Sequence, residues 1–136
     1  MRSLSVRLER QAASGLQIAR WLETRPEVAR VIHPALPSHP DHTLWKRDFT
    51  GAAGVFGFVL KPADEAKLKA MFESYALFSM GFSWGGYESL IIPCDDNITR
   101  TAKPWNAEGP LVRLSIGLEH PDDLIADLTA GFARLA

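Results

Sequence analysis

Leu8, Ala12, Gly15, Ala19 and Leu22 fall four, three, four and three residues apart, which lines one side of a helix and predicts helix from about Ser3 to Thr24. Pro26 ends it, because the residue before a proline is pushed out of the helical region. Val28 to His33 alternates as a short strand does. Pro34, Pro37 and Pro40 then forbid regular structure and mark a loop. Asp41 is placed to cap a short helix through about Phe49, its carboxylate accepting the free amides of the first turn. Gly51 to Gly54 breaks the chain again. From Val55 to Leu60 both alternating sets are largely apolar, which predicts a central strand covered on both faces.

Pro62 and Asp64 open a helix on which Leu68, Met71, Phe72 and Tyr75 face inward while Lys67, Lys69 and Glu73 face water. Strands are expected near Leu77 to Phe82 and Ser89 to Ile92. Between Pro93 and Pro110 the residues Asp95, Asp96, Asn97, Pro104 and Gly109 mark a long surface connection. Leu111 to Leu118 is the last strand. Pro121 at the first helical position, with Asp122 and Asp123 near the positive end of the dipole, starts a final helix that turns Leu124, Leu128, Phe132 and Leu135 inward. This order of elements predicts an α/β fold of the α+β kind, a sheet of about four strands covered by helices.

The 136 residues are 46% hydrophobic and 23% charged, enough for one domain with a core of its own. Fifteen basic against sixteen acidic residues leave a net charge of -1, so no field is available to neutralise a run of phosphates and nucleic acid is excluded as a partner. One cysteine, Cys94, forms no internal disulfide, which fits a reducing compartment and makes the cytoplasm the expectation. It has no basic neighbour along the chain to activate it, so it reads as a structural thiol. Met1 to Leu8 is rich in Arg and Ser and free of acid, as a mitochondrial presequence is, but the amphipathic pattern runs on unchanged to Leu22 and the segment is assigned to the helix. No apolar run approaches a membrane span of about 20 residues.

Three features carry candidate chemistry. In the last strand Val112, Leu114, Ile116 and Leu118 form one apolar face, leaving Leu111, Arg113, Ser115 and Gly117 on the other. Arg113 therefore projects from mid-strand beside small residues. It either forks onto a carboxylate or phosphate in a pocket or closes an internal ion pair, and on these residues alone the two stand level. In Ser83-Trp84-Gly85-Gly86-Tyr87-Glu88-Ser89-Leu90 the glycine pair permits a tight turn with positive φ, which sets a hydroxyl and an indole at its rim. A turn anchored by a buried tryptophan is the commoner meaning of such a segment. His39 and His42 flank Asp41, but Pro40 breaks the helix a ligand pair would need, so no metal site is expected there.

Ser83 to Leu90, Leu111 to Glu119 and Asp122 to Leu128 resemble the closing motifs of the Cys/Met-metabolism enzymes that use pyridoxal phosphate. Val28 to Leu36, Trp45 to Gly51 and Leu77 to Met80 add to the resemblance, which covers the chain in order. Trp84 is similar to the carbon–sulfur β-lyase branch, whose γ-lyase relatives carry a small aliphatic residue there. Phe82 departs from the tyrosine that precedes the Ser-Trp pair in close relatives, which puts any contact of that hydroxyl in doubt.

The resemblance implies that 1–25 is a long linker helix and 26–136 the small carboxy-terminal domain of a fold-type I pyridoxal-phosphate enzyme. On the same resemblance, the large cofactor-binding domain is expected to lie upstream of these residues. The resemblance implies further that Arg113 binds the substrate α-carboxylate, that Ser83 helps position the catalytic lysine, and that Trp84 lines the pocket for an amino-acid thioether. The reaction implied is β-elimination from cystathionine to homocysteine, pyruvate and ammonia. The lysine that carries the cofactor is missing, since none of Lys46, Lys61, Lys67, Lys69 and Lys103 stands in the Ser-x-Thr-Lys setting the family uses. The chain alone is expected to hold no cofactor stably and to be inactive. An alternative from another class is a stand-alone binding or assembly module, self-associating through surface that the large domain covers in the family.

Overall fold

The computed structural model describes residues 2–95, 98–102 and 104–136, and these form one five-stranded sheet with helices packed on it. In chain order the elements are α1 (Leu4–Leu22), β1 (Val28–Ile32), α2 (His42–Asp48), β2 (Val55–Leu60), α3 (Glu65–Phe72), β3 (Ser79–Met80), β4 (Leu90–Pro93), β5 (Leu111–Ser115) and α4 (Pro121–Phe132). A single 3₁₀ turn, Ala133–Leu135, closes the chain. The strands lie in the order β1-β2-β5-β4-β3, antiparallel throughout except for the parallel pair of β3 and β4. The expected α+β class stands, with five strands in the sheet.

The register places the core on one face. Phe56 lies opposite Leu114, Phe58 opposite Val112 and Val31, and Ile91 opposite Leu114, so their side chains share a side. Ile18, Ala19 and Leu22 of α1, Met71 of α3, and Leu124, Leu128 and Phe132 of α4 close over them in one buried cluster. Removing this apolar area from water is the main source of stability. On the opposite side Val59 is fully buried while Val55 and Gly57 are half-buried, so β2 is an interior strand covered on both faces only toward its carboxy end.

Two helices differ in detail from the pattern. The buried face of α1 is Gln11, Ser14, Gly15, Ile18, Ala19 and Leu22, whereas Leu8 is exposed along with Leu4 and Val6. Asp41 stands at the amino end of α2 but makes no side-chain cap; its amide instead donates to His39 Nδ1 at 3.1 Å. At α4 the cap is His120, whose ring nitrogen accepts from the Asp122 amide ahead of Pro121. Lys67 is half-buried rather than solvated, while Lys69 is exposed and paired with Glu73 at 3.8 Å.

The largest departure is β3, expected over Leu77 to Phe82 and reduced to two residues. Side chains have taken its backbone groups. The Asp127 carboxylate accepts from the amides of Ala76, Leu77 and Phe78 at 2.9, 2.8 and 3.1 Å, and Arg113 Nη2 donates to the carbonyls of Gly81, Phe82 and Ser83 at 3.1, 2.8 and 3.2 Å. Only Ser79 and Met80 remain for the ladder. In the connection before β5, Asp95 accepts from the Leu111 amide, whereas Asp96, Asn97 and Lys103 lie outside the described residues.

Candidate functional site

The site grows from the face of β5 opposite the core. Arg113, Ser115 and Gly117 follow one another at strand spacing, and all three reach the segment between β3 and β4. Arg113 takes the three carbonyls of Gly81 to Ser83. Ser115 Oγ accepts from the Gly85 amide at 3.2 Å, and the Gly117 amide donates to Ser89 Oγ at 2.9 Å. Gly117 has no alternative here: a Cβ would stand 2.2 Å from the Tyr87 carbonyl oxygen. Ser89 is held further by Glu119, whose two carboxylate oxygens accept from its amide and hydroxyl at 2.8 Å each. Nine residues, Gly81 to Ser89, thus join two parallel strands, a connection far shorter than the usual crossover of about a dozen residues or more. It is moored at nearly every step.

Within this segment Gly85 adopts φ +73°, the left-handed conformation that favours glycine. Trp84 is 69% exposed, so the turn is not anchored by a buried indole. Phe82, Ser83 and Tyr87 are exposed beside it. Of the three residues singled out from sequence, Arg113 meets Ser83 through its main-chain carbonyl and Trp84 follows directly, but neither Ser83 nor Trp84 lines the cavity beside Arg113.

Arg113 is half-buried, with Gly57 of β2 and Ile92 of β4 as its neighbours across the sheet. Among the described residues no carboxylate lies within ion-pair distance of it, and its Nε is buried without a partner. It borders a cavity of about 300 Å3 that Gly57, Cys94, Arg100 and Trp105 also line. The guanidiniums of Arg30 and Arg100 each lie 5.4 Å from the Trp105 ring centroid; Arg30 is paired with Glu108 at 3.6 Å, and Arg100 adds a positive charge to the cavity lining. Cys94 does have a basic neighbour, Arg113, brought to it by strand pairing rather than by sequence. Burial nevertheless pushes the thiol's pKa up, with Arg113 opposing, so the inert reading of this cysteine keeps its physical basis.

A larger groove of about 620 Å3 lies apart, bordered by Leu8, His33, Leu44, Trp45, Phe49 and Val55. It holds no lysine or arginine, and Asp41 and Asp48 on its wall disfavour an anion. His33 is 2% exposed there; its Nδ1 accepts from the Ala35 amide, and burial lowers its pKa. Among the described residues no group of three metal-ligating side chains forms, His39 and His42 being engaged with the Asp41 amide and the Pro34 carbonyl. No helix among them is long and apolar enough to cross a membrane.

Gln11, Glu119 and Asp127 went unnoticed in the sequence, although each carries a signal. Gln11 and Asp127 are polar residues inside apolar helical stripes, and Glu119 follows the strand whose small residues admit the turn. A buried polar group in a nonpolar stripe must find a partner: Gln11 finds it at Gly86 in the β3–β4 connection, as Glu119 does at Ser89, and Asp127 finds it in the residues just before β3.

The sequence profile of the Cys/Met metabolism PLP-dependent enzymes matches residues 1–133. The chain is 55% identical over 139 aligned residues to the cystathionine beta-lyase of Salmonella typhimurium and 50% identical to the cystathionine beta-lyase MetC of Escherichia coli, with 99% of the chain and 35% of each relative covered. It is 38% identical to the cystathionine gamma-lyase of Mus musculus, over 94% of the chain and 33% of that protein. The chain spans about a third of the length of these relatives.

Proposed function

Because this chain belongs to the family of Cys/Met metabolism enzymes that depend on pyridoxal phosphate, we propose that it is the substrate-carboxylate portion of a cytoplasmic cystathionine β-lyase, its cofactor lysine lying in another part of the polypeptide. Residues 1–25 serve as the linker helix and 26–136 as the small domain. The observation that carries the reading is Arg113. One of its nitrogens is fixed to three backbone carbonyls, no carboxylate among the described residues neutralises it, and it borders an open cavity. A guanidinium so held is pre-oriented for a planar carboxylate, and little conformational freedom remains to be lost on binding.

The cofactor, when bound, supplies an electron sink for carbanion chemistry. This chain's residues bind and orient. Arg113 holds the substrate α-carboxylate, Ser83 stands toward the lysine of the other portion, and Trp84 covers the thioether and excludes water. The assignment to a β-lyase is supported by the two β-lyase relatives, 55% and 50% identical over nearly the whole chain. In support of a cofactor lysine outside this chain, none of the described lysines, Lys46, Lys61, Lys67 and Lys69, borders the Arg113 cavity. Exposed Leu8, Leu44 and Phe49 at the larger groove, with exposed Leu4 and Val6 nearer the start of α1, suit burial against the remainder of the polypeptide. They also favour the second reading, an assembly module. Sedimentation decides between these: concentration-dependent dimers of the isolated chain support the module, and a monomer that becomes active when joined to the remaining portion supports the lyase.

The direct test is Arg113→Ala in the polypeptide that joins this chain to a cofactor-bearing portion. The expected result is a rise of roughly 100-fold in KM for cystathionine, the loss of one charge-assisted fork. An unchanged KM, or a lysine-bound cofactor absorbance band in the isolated chain with added pyridoxal phosphate, would remove the basis of the proposal.

A further inference from the structure

The turn that carries Ser83 and Trp84 is held by β5 and the residues just after it at every point but one. That point is Gly86, whose carbonyl accepts from Gln11 Nε2 at 2.6 Å across 75 residues of sequence. Gln11 is 4% exposed, on the buried stripe of α1. Its reach is fixed by close backbone packing: a Cβ at Gly15 would lie 3.3 Å from Gly54 Cα, and one at Gly54 would lie 3.1 Å from Gln11 Cβ and 2.7 Å from the Ile116 carbonyl oxygen. Helix, loop and strand meet there with no slack. Gly86 follows Gly85, the described residue with positive φ, so the turn has its freest backbone just where α1 grips it.

We propose that Gln11 is a positioning residue, through which α1 clamps the Ser83–Trp84 turn and sets the distance of both side chains from Arg113. The inference rests on the assignment of Ser83, Trp84 and Arg113 to the substrate site. Arg113 fixes the carbonyls of residues 81–83 ahead of the indole, and beyond it Ser115 holds the Gly85 amide and the Leu118 amide holds the Tyr87 carbonyl. The anchor at Gly86 lies between those two and is the one contributed by α1. Without it the Gly86–Tyr87 peptide turns its carbonyl to solvent, the left-handed Gly85 relaxes, and the indole one residue earlier shifts. The geometry of the site thus depends on how α1 is docked.

Gln11→Met keeps the side-chain length and packing and removes the donor, and Gln11→Glu keeps the shape and replaces the donor with an acceptor. In the polypeptide joined to its cofactor-bearing portion, each is expected to raise KM for the thioether roughly five- to tenfold with kcat within about twofold, the signature of lost positioning by one hydrogen bond. With 5-fluorotryptophan incorporated, the 19F resonance of Trp84 moves in both variants while those of Trp21, Trp45 and Trp105 stay. A folded Gln11→Met or Gln11→Glu protein in which neither KM nor the Trp84 resonance changes overturns the proposal. Arg113→Ala is the control: if it leaves KM unaltered the site assignment itself fails, and if it raises KM while both Gln11 variants are silent only the role of Gln11 is lost.

Discussion

On either side of β3 the chain is seized by a charged side chain, and the two grips differ in what they leave over. Before the strand, Asp127 of α4 receives three consecutive amides and is 9% exposed. After it, Arg113 of β5 gives one nitrogen to three consecutive carbonyls and stays half-buried beside a cavity. The carboxylate is consumed by the fold. The guanidinium has hydrogen-bonding capacity in reserve, because five N–H groups on a rigid plane exceed what three carbonyls around one nitrogen can use. A charge whose partners are all backbone and whose surroundings are closed is architecture; one with spare donors facing an opening is available to a ligand.

The contrast breaks most visibly at Asp127. Asp127→Ala leaves three amides without an acceptor and is expected to cost about 3 kcal/mol, read as a lower urea midpoint with unchanged slope. Arg113→Ala should cost less than about 1 kcal/mol, since the freed carbonyls reach water. Equal losses at the two positions would abolish the distinction. Next in size is Gly131→Ala. The glycine of α4 packs on the Tyr75 ring, and a Cβ would stand 2.3 Å from it. The Tyr75 phenol is buried without a partner, and burial, with Asp127 near, drives its pKa far above the usual range. The ring must move against the same corner of the fold, so a loss of about 1–3 kcal/mol is expected, with little change in the 19F resonance of Trp84 on the other side of β3.

The smallest effect belongs to His33, a buried polar group tied to neither grip. Burial lowers its folded pKa below the ordinary value of 6.5, so the unfolded chain takes up a proton first as the solution is acidified. The neutral ring's contribution is complete above pH 6.5 and is lost as pH falls from there through the folded value. Denaturation midpoints between pH 7 and 5 should decline less steeply in His33→Phe than in the parent. Parallel curves would show that this ring does not titrate with folding.

Hydrophobic spacing together with proline and cap signals located the four helices and the five strand regions; burial of one stripe or face dictates the spacing except in α2, which buries no side chain and is placed by Asp41 and the prolines before it. Spacing also separated Arg113 from the apolar side of β5. Spacing could not show that β3 would shrink to Ser79 and Met80, because the competitors for its backbone, Asp127 and Arg113, lie about fifty and thirty residues away. Nor could it show Leu8 outside the core, since an apolar residue on the right side of a helix is buried only where something packs against it. Cys94 and Arg113 became neighbours through the β4–β5 register, which the order of residues along the chain conceals. The glycine pair drew attention to Ser83 and Trp84 and likeness to a family gave them roles; the hold of Arg113 on the main-chain carbonyls of Gly81 to Ser83 is visible only in three dimensions.

The brevity of β3 has one more consequence. A sheet edge of two residues offers almost no free ladder to a foreign chain, and at the opposite border β1 carries a register irregularity between Val28 and Arg30. Both margins are thereby blunted against strand addition, the commonest route from an isolated domain to aggregates. Self-association of this polypeptide would have to proceed through side chains on its helical surfaces, where it is reversible and dilution undoes it.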